Sequence, residues 1–450
     1  MFKKTERQAR LILKRIHKNK NPFVFSYGVT PAQKWIVKRK RTEKQFKFFG
    51  FMSIALSAMF LGGLMLNIVS NGYTAFTRVQ IYVPIEFSKE ILDPENTGDR
   101  AALSKADYRK LVQNGLLTLF PANMSRTEKF ELFALVSKGG YYQLREMVLA
   151  DPSLVGRRGQ LWLPAASNVD MFIKRHSLKS EIGISHYKVS NRQFEMLKEL
   201  IDKERLRKVF NKTFFLGGDS QEPEQAGILG SFIGSIFTIL VCIAVAFPLG
   251  VATALYLEEF AKENWLTDLI EININNLAAV PSIIYGLLGL SIYINIIGMP
   301  RSSALVGGLV LALLVMPVIV IATRNALRSV PHSVRYAALA MGANPVQVAM
   351  HHTFIYALPG IMTGVILSVA RALGETSPLL LIGMVAFLTD VPKTITDPAT
   401  TLPVQVYLWT NNPEFGFVEN TAAAIIILLL VLVIINALAA WVRQKFEIKW

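Results

Sequence analysis

The chain has 450 residues, of which 52% are hydrophobic and 18% are charged, and its mean hydropathy is +0.37. Soluble proteins of this length are less apolar, so the composition indicates an integral membrane protein. The net charge of +16 does not indicate a nucleic-acid partner, because 15 of the 48 Lys and Arg residues lie in residues 1–47, directly before the first apolar run. Such a basic segment is typical of a cytoplasmic N-terminus. The single cysteine, Cys242, excludes an intramolecular disulfide and a cysteine metal cluster.

Runs without acidic or basic residues predict six membrane-spanning helices, each needing about 20 apolar residues. The runs lie at 48–70, 225–257, 272–300, 302–323, 353–370 and 420–442, and the fifth continues to 389 across two charges. The first run begins too far from the N-terminus for a cleaved signal peptide, so it is predicted to be retained. An even number of spans places both termini in the cytoplasm.

The runs divide the chain into segments that differ in character. These are a basic cytoplasmic segment 1–47, a first transmembrane helix 48–70, an external region 71–224, a transmembrane domain 225–442 with a cytoplasmic loop 324–354, and a cytoplasmic tail 443–450. The amphipathic stretch 257–276 is predicted to be an interfacial connector helix on the cytoplasmic side.

The external region is long enough to form a domain of its own. Apolar residues occupy every second position from Val79 to Phe87, which predicts a β-strand. Helix-like stretches follow near 103–118, 126–149 and 190–209. We therefore predict an α+β domain outside the membrane.

The cytoplasmic stretch RSVPHSVRYAALAMGANPVQVAMHHTF, 328–354, predicts two short helices joined by a tight turn. Pro331 suits a first helical position, and Gly342 suits a left-handed cap at the end of that helix. Asn344 followed by Pro345 is typical of the start of a second helix. The small residues of the first helix would let another protein approach closely, although many such loops are simple connectors.

The sequence RALGETSP, 371–378, places two charges inside an apolar run. On a helix Arg371 and Glu375 would share one face and pair, which offsets a cost of about 2.5–3.5 kcal/mol for each lone charge at the centre of a span. Two interpretations remain open. The pair either pins the fifth span against a neighbour, or it forms a transient site for an oxyanion that crosses the membrane. Gly374 and Pro378 could open the helix beside it.

The cytoplasmic loop resembles a known coupling element. The spacing of Ala337-Ala338 and Gly342-Ala343 is similar to that of the EAA loop of ABC importer permeases, which seats in a groove of the ATPase. Tyr336 occupies the place of the glutamate of that motif. The resemblance therefore implies an ATPase-coupling loop without a salt bridge at that position.

Five colinear stretches resemble the phosphate-importer permeases of PstA type. They are 256–262, 278–290, 326–343, 371–380 and 400–407. The resemblance implies an all-α integral membrane protein with six transmembrane helices of ABC importer permease type, carrying the α+β insertion in the periplasm. The predicted site residues are Arg371, Glu375 and Thr376 in the translocation pathway, and the resemblance places Ala337, Ala338, Gly342 and Ala343 in the coupling loop. The implied partners are a second permease of PstC type, a homodimeric ABC ATPase, a periplasmic phosphate-binding protein and the lipid bilayer of a bacterial inner membrane.

Enzymatic activity is not expected of this chain. No Gly-Lys dipeptide is present in the sequence, so a Walker A loop is absent and ATP must be hydrolysed by a separate subunit. The adjacent His351 and His352 lack an HExxH context, and we expect neither a metal nor a cofactor. Alternative functions are a permease for sulfate, molybdate or phosphonate and a membrane-anchored sensor. A secondary transporter would show inverted repeats, which the sequence lacks.

Overall fold

The computed structural model describes residues 31–94, 98–121, 123–175, 187–385 and 387–446. The helices are α1 Pro31–Gly72, α2 Lys89–Leu92, α3 Arg100–Lys105, α4 Tyr108–Leu117, α5 Arg126–Phe133, α6 Gly139–Ala150, α7 Ser167–Arg175, α8 Asn191–Asp202, α9 Lys212–Leu216, α10 Leu229–Leu255, α11 Trp265–Ala278, α12 Ser282–Leu288, α13 Ala304–Arg328, α14 His332–Ala340, α15 Pro345–Gln347, α16 Phe354–Gly374, α17 Ser377–Leu381, α18 Leu402–Thr410 and α19 Gly416–Phe446. The strands are β1 Thr77–Glu86, β2 Arg158–Pro164 and β3 Leu206–Phe210. Short 3₁₀ segments lie at Tyr73–Phe76 and Pro152–Leu154, and π-helical segments at Tyr256–Phe260, Gly289–Ile296 and Val348–Thr353. The predictions for residues 1–30 and 447–450 lie outside the described residues.

Most of helix α1 forms a unit of its own, which ends at Leu66. The helix has 42 residues and contains the predicted first span, 48–70. At 1.5 Å per residue it is about 63 Å long, about twice the hydrocarbon thickness of a bilayer. Its apolar side chains from Phe46 to Leu66 are largely exposed, as a lipid-facing helix requires.

The second unit, Asn67–Trp450, begins with a region that we call the sheet domain, residues 77–216. Strand β1 is central in the order β2-β1-β3, and both neighbours pair with it antiparallel. The predicted alternation is confirmed, because Val79, Ile81, Val83 and Ile85 are all buried against the surrounding helices. Three strands combined with helices α2–α9 match the predicted α+β character.

The three helix predictions in the sheet domain were wrong in part. The stretch 103–118 is divided between α3 and α4, and 126–149 between α5 and α6. The stretch 190–209 was expected to be helical, but α8 ends at Asp202 and β3 begins at Leu206. Glu204 has a φ of 55°, a left-handed conformation that stops the helix. The following residues then pair with the edge of β1, a long-range contact that local propensity does not contain.

A buried ion cluster joins the sheet domain to the last helix. The Lys174 ammonium lies 2.5 Å from the Asp170 carboxylate and 3.3 Å from the Glu419 carboxylate in the first turn of α19. Burial raises the pKa of Asp170 to about 6, and the positive charge of Lys174 opposes that rise. On the same helix, the Arg175 guanidinium donates to the Asn71 backbone and side chain at the end of α1. Helix α7 therefore holds the ends of two predicted spans.

The number of spanning helices depends on one bent pair. Among the described residues, five helices are long and apolar enough to span: Arg39–Phe76, Leu229–Phe260, Ala304–Arg328, Pro345–Gly374 and Gly416–Lys445. The predicted third span, 272–300, is not one straight helix. Helices α11 and α12, the latter continued to Ile296, are bent by 105° around Pro281, and the count is six only if they form one span. Pro281 lacks a backbone donor, which favours a break at this position.

The fifth span is shorter than its apolar run. Helix α16 ends at Gly374 and does not continue to 389. Pro378 has no N–H to bond the carbonyl of Gly374, which weakens a helix at this position. The chain restarts in the short α17 and then turns at Gly383, whose φ is 91°. The membrane core packs α10, α13 and α16 together around a shared apolar cluster.

Candidate functional site

The two charges of RALGETSP pair at a helix end. The Arg371 Nε lies 3.5 Å from the Glu375 Oε1, and the two side chains are 41% and 20% exposed. Glu375 does not share a helical face with Arg371 as predicted, because the helix ends at Gly374 and Glu375 is extended, with φ −79° and ψ 125°. The predicted opening of the helix beside the pair is confirmed. Half-buried Thr376 starts α17, and its carbonyl accepts from the backbone N–H of Leu379.

The stretch 278–290, which includes α12, packs against the break in the chain after α16. A Cβ added to Gly286 would lie 2.7 Å from the Cα of Pro378, so α12 and α17 approach as closely as only glycine permits. The stretches 278–290 and 371–380 are therefore in direct contact.

The stretch 400–407 also packs close to Glu375. The backbone N–H of Leu402 donates to the Ser235 Oγ at 2.8 Å. A small hollow beside Glu375 is lined by Ser235, Thr238 and Thr401 and by six apolar residues, among them Leu311 and Leu373. In the part of the chain that the structure describes, the Thr401 hydroxyl is buried without a hydrogen-bond partner. Glu375 of the ion pair thus borders a small, mainly apolar hollow inside the membrane core.

The predicted turn of the cytoplasmic loop is confirmed. Helix α14 ends before Gly342, whose φ is 86°. The Ala343 N–H donates to the Ala338 carbonyl and the Gly342 N–H to the Leu339 carbonyl, which is a Schellman cap. Asn344 then forms a capping box at the start of α15. Pro331 caps α14 from outside the helix and does not occupy its first position.

The four predicted coupling residues lie in this helix and turn, with different exposure. Ala337 and Gly342 are exposed, Ala343 is half-buried and Ala338 is buried. Around them a set of large apolar side chains is exposed: Tyr336, Leu339, Met341, Val346 and Met350. The surface of the loop is therefore apolar, and Tyr336 extends it where the related motif has a carboxylate.

A charged cluster below α10 and α13 contains residues that the sequence analysis did not select. Its members are Glu258, Glu259, Glu271, Arg324, Arg328 and Arg335. Arg324 contacts Glu258 at 3.4 Å and Glu271 at 3.0 Å. The signal available in the sequence was YLEEFAK, in which two adjacent carboxylates lie on the side where the positive-inside rule concentrates arginines.

Arg335 connects α14 to the ends of two membrane helices. Its Nη2 lies 2.7 Å from the Glu259 Oε1, at the end of α10. The same guanidinium donates to the Val330 carbonyl at 2.8 Å and to the Leu327 carbonyl at 3.0 Å, at the end of α13. Arg335 itself belongs to α14. We call this arrangement of Arg335 and Glu259 the clamp.

Two family models match the chain. Residues 246–448 match the binding-protein-dependent transport system inner membrane component. Residues 33–181, which contain most of α1 and much of the sheet domain, match a domain of unknown function, DUF3333. The first match contains both the Arg371–Glu375 pair and the coupling loop.

Curated relatives agree with the first model. The phosphate transport system permease protein PstA of Haemophilus influenzae is 36% identical over 191 residues, which are 42% of this chain and 66% of that protein. PstA of Mycobacterium leprae is 34% identical over 215 residues, 47% of this chain and 69% of that protein. Among solved structures, an inward-facing MetNI methionine ABC transporter is 19% identical and covers 49% of this chain and 95% of its own, with a TM-score of 0.39. The chain therefore belongs to the inner membrane components of binding-protein-dependent transport systems, and within them to the permeases of PstA type.

Proposed function

We propose that this protein is a permease subunit of an ATP-driven importer of inorganic phosphate and forms half of its translocation pore. The observation that carries the proposal is the match to PstA-type permeases, whose family region includes both the ion pair and the coupling loop. The partners that we propose are a second permease of PstC type, a homodimeric ATPase and a periplasmic phosphate-binding protein. Homologues are transport permeases, in keeping with a chain that does not itself hydrolyse ATP.

The geometry of Arg371 supports contact with the anion. The separation of 3.5 Å from Glu375 is longer than the 2.7–2.9 Å of a strong charge-assisted hydrogen bond. Among the described residues Arg371 donates no hydrogen bond, and only its Nε faces Glu375, so the two Nη groups are free for an oxyanion. Glu375 keeps the site from holding phosphate too tightly, and Thr376 lies next along the pathway. A site that binds weakly and transiently is what conduction requires.

The coupling loop provides the contact with the ATPase. Its exposed apolar side chains would be covered on docking, and the Schellman turn presents them in a fixed direction. Because Tyr336 replaces the carboxylate, we propose that packing on an apolar groove takes the place of a salt bridge. The exposed Ala337 and Gly342 form the close-approach surface, and Ala338 and Ala343 form the turn behind it through the bond between their backbones.

Gly342→Val tests the turn. A Cβ at this position meets no atom within 4 Å, so the effect comes from the backbone and not from a clash. A β-branched residue at a φ of 86° is strained by about 1–3 kcal/mol. We expect the variant to reach the membrane but to lose phosphate uptake and ATPase binding. Gly342→Asn is the matched control, because asparagine tolerates the left-handed conformation and should retain both. Normal uptake by Gly342→Val would remove the coupling role.

The proposed topology places both termini in the cytoplasm and the sheet domain in the periplasm. The basic segment 1–47 supports this topology, because basic segments next to a span stay in the cytoplasm. The charges of the loop 71–224 do not oppose it, because a loop of this length is translocated largely regardless of its own charge. Reporter fusions after residue 150 and residue 410 should give a periplasmic signal, and fusions after 340 and 450 a cytoplasmic one. A cytoplasmic signal at residue 150 would contradict the arrangement.

Uptake by cells tests the cargo. A strain without other phosphate importers should accumulate labelled phosphate only when it carries this gene and those of its partner subunits. Excess sulfate, molybdate or phosphonate should not compete. Competition by one of these anions as strong as that by unlabelled phosphate would assign the permease to that anion.

A further inference from the structure

One edge of the sheet domain exposes apolar and basic side chains side by side. Phe210 at the end of β3 is 58% exposed, Leu216 at the end of α9 is 68% exposed, and Tyr73 directly after α1 is 58% exposed. Lys208 and Lys212 are exposed in the same stretch. We call these five residues the edge patch. A cluster of exposed apolar side chains indicates a surface that contacts a partner or a membrane.

The edge patch is a single structural feature. The rings of Phe210 and Phe215 are stacked with centroids 5.2 Å apart, and Phe215 is stacked on Phe76 at 5.5 Å. Phe76 belongs to the short segment Tyr73–Phe76 that follows α1. Lys208 and Phe210 are two residues apart on β3, so their side chains lie on the same face of the strand.

The position of the edge patch coincides with the ends of membrane helices. A Cβ added to Gly72, the last residue of α1, would lie 2.7 Å from the backbone of Ala422, near the start of α19. The apolar run 48–70 has the length of the hydrocarbon core and ends two residues before Gly72. Tyr73 directly follows Gly72 and therefore lies at the level where the helices leave the lipid. Phe76, on which Phe215 is stacked, ends the same short segment.

We infer that the edge patch lies on the membrane surface and binds anionic phospholipid. Tyr73 favours this interface because its ring is apolar while its hydroxyl can bond to water and headgroups. Phe210 and Leu216 enter the boundary between headgroups and acyl chains. Lys208 and Lys212 bury their stems there and direct their ammonium groups to the lipid phosphates. The sheet domain is thereby held against the bilayer by a lipid contact in addition to its protein contacts.

Fluorescent labels test the depth of the patch. Phe210→Cys and Leu216→Cys are each labelled with an environment-sensitive fluorophore, in nanodiscs that contain brominated phospholipid as quencher. Both labels should be quenched. Glu86→Cys is the control. Phe210 pairs with Thr77 at the start of β1, and Glu86 at the other end of that strand lies about 30 Å from Thr77. Cys242 is buried, so the native protein reports the labelling background. Labels at 210 and 216 that are quenched no more than the one at 86 would overturn the inference and leave a protein partner or water as the occupant.

Charge removal tests the headgroup. Lys208→Ser combined with Lys212→Ser should lower the retention of phosphatidylglycerol relative to phosphatidylcholine by roughly tenfold, as measured by native mass spectrometry. Arg157→Ser combined with Arg158→Ser removes two charges at the far end of the sheet, and we expect no change. Added inorganic phosphate should not compete with the lipid. Equal retention in both double variants, or displacement by inorganic phosphate, would contradict the lipid assignment.

Discussion

Arg335→Gln should lower phosphate uptake per permease at least about tenfold while ATP hydrolysis by the complex continues. The change breaks the clamp, whose two side chains are 15% and 10% exposed. Removing one partner of a fully buried ion pair costs about 3–5 kcal/mol, which is the upper bound here. It also leaves the Val330 and Leu327 carbonyls without the donors that tie the coupling helix to α13. Motion of the ATPase would then move α14 without moving α10 and α13. The measurement is the ratio of ATP hydrolysed to phosphate imported by the purified, reconstituted complex.

Two variants separate transmission from simple stability. Arg328→Gln is the matched control, because Arg328 is 52% exposed and its partner Glu258 keeps a contact with Arg324. An exposed pair contributes only about 0–1 kcal/mol, so the ratio should not change. Arg335→Lys keeps the charge but loses the planar fork that reaches a carboxylate and two carbonyls together, and it should be partly uncoupled. If hydrolysis and uptake fall in proportion in Arg335→Gln, the clamp only stabilises the fold.

Arg371→Gln should reduce phosphate uptake to about a tenth or less of the native rate, even after correction for the amount of protein in the membrane. The planar guanidinium is the group that suits a tetrahedral oxyanion, and glutamine lacks its charge. Arg371→Lys retains the charge without the fork, so we expect normal abundance with weakened uptake. Arg301→Gln is the control, because Arg301 is an exposed basic residue outside the pathway.

The double variant Arg371→Gln with Glu375→Gln separates an anion site from a structural pair. A lone charge is the costly state, so removing both charges should restore protein abundance relative to Arg371→Gln alone. Uptake should remain low, because the positive charge that meets phosphate is still missing. Full uptake by the charge-free variant would leave the pair as a structural contact between α16 and the chain that follows it.

Local chemistry made much of the coupling loop predictable. Gly342 is the residue type that a left-handed helix cap requires, and Asn344-Pro345 starts a helix by the same kind of short-range rule. The strand from Val79 was visible in the period of its apolar residues. Arg371 and Glu375 could be selected from the sequence because charges are rare within apolar runs. An opening of the helix beside the pair was predicted, but not that α16 ends between the two residues.

Long-range contacts account for what the sequence did not predict. Arg335 and Glu259 are 76 positions apart, so no local pattern connects them. The contact of Gly286 with Pro378 and the pairing of β3 with β1 are of the same kind. The bend between α11 and α12 was hidden because both sides of Pro281 are apolar, and hydropathy does not distinguish one straight span from two helices at an angle.

The most direct test of the central claim is transport by purified components. The complex of this chain with its second permease and ATPase is reconstituted in proteoliposomes, oriented so that added ATP reaches the ATPase and the phosphate-binding protein is on the opposite side. We predict that labelled phosphate crosses from the side of the binding protein only when ATP and that protein are both present, and not with ADP. Phosphate flux that is equal with and without ATP, or ATP hydrolysis stimulated by the binding protein without any phosphate crossing, would contradict the account.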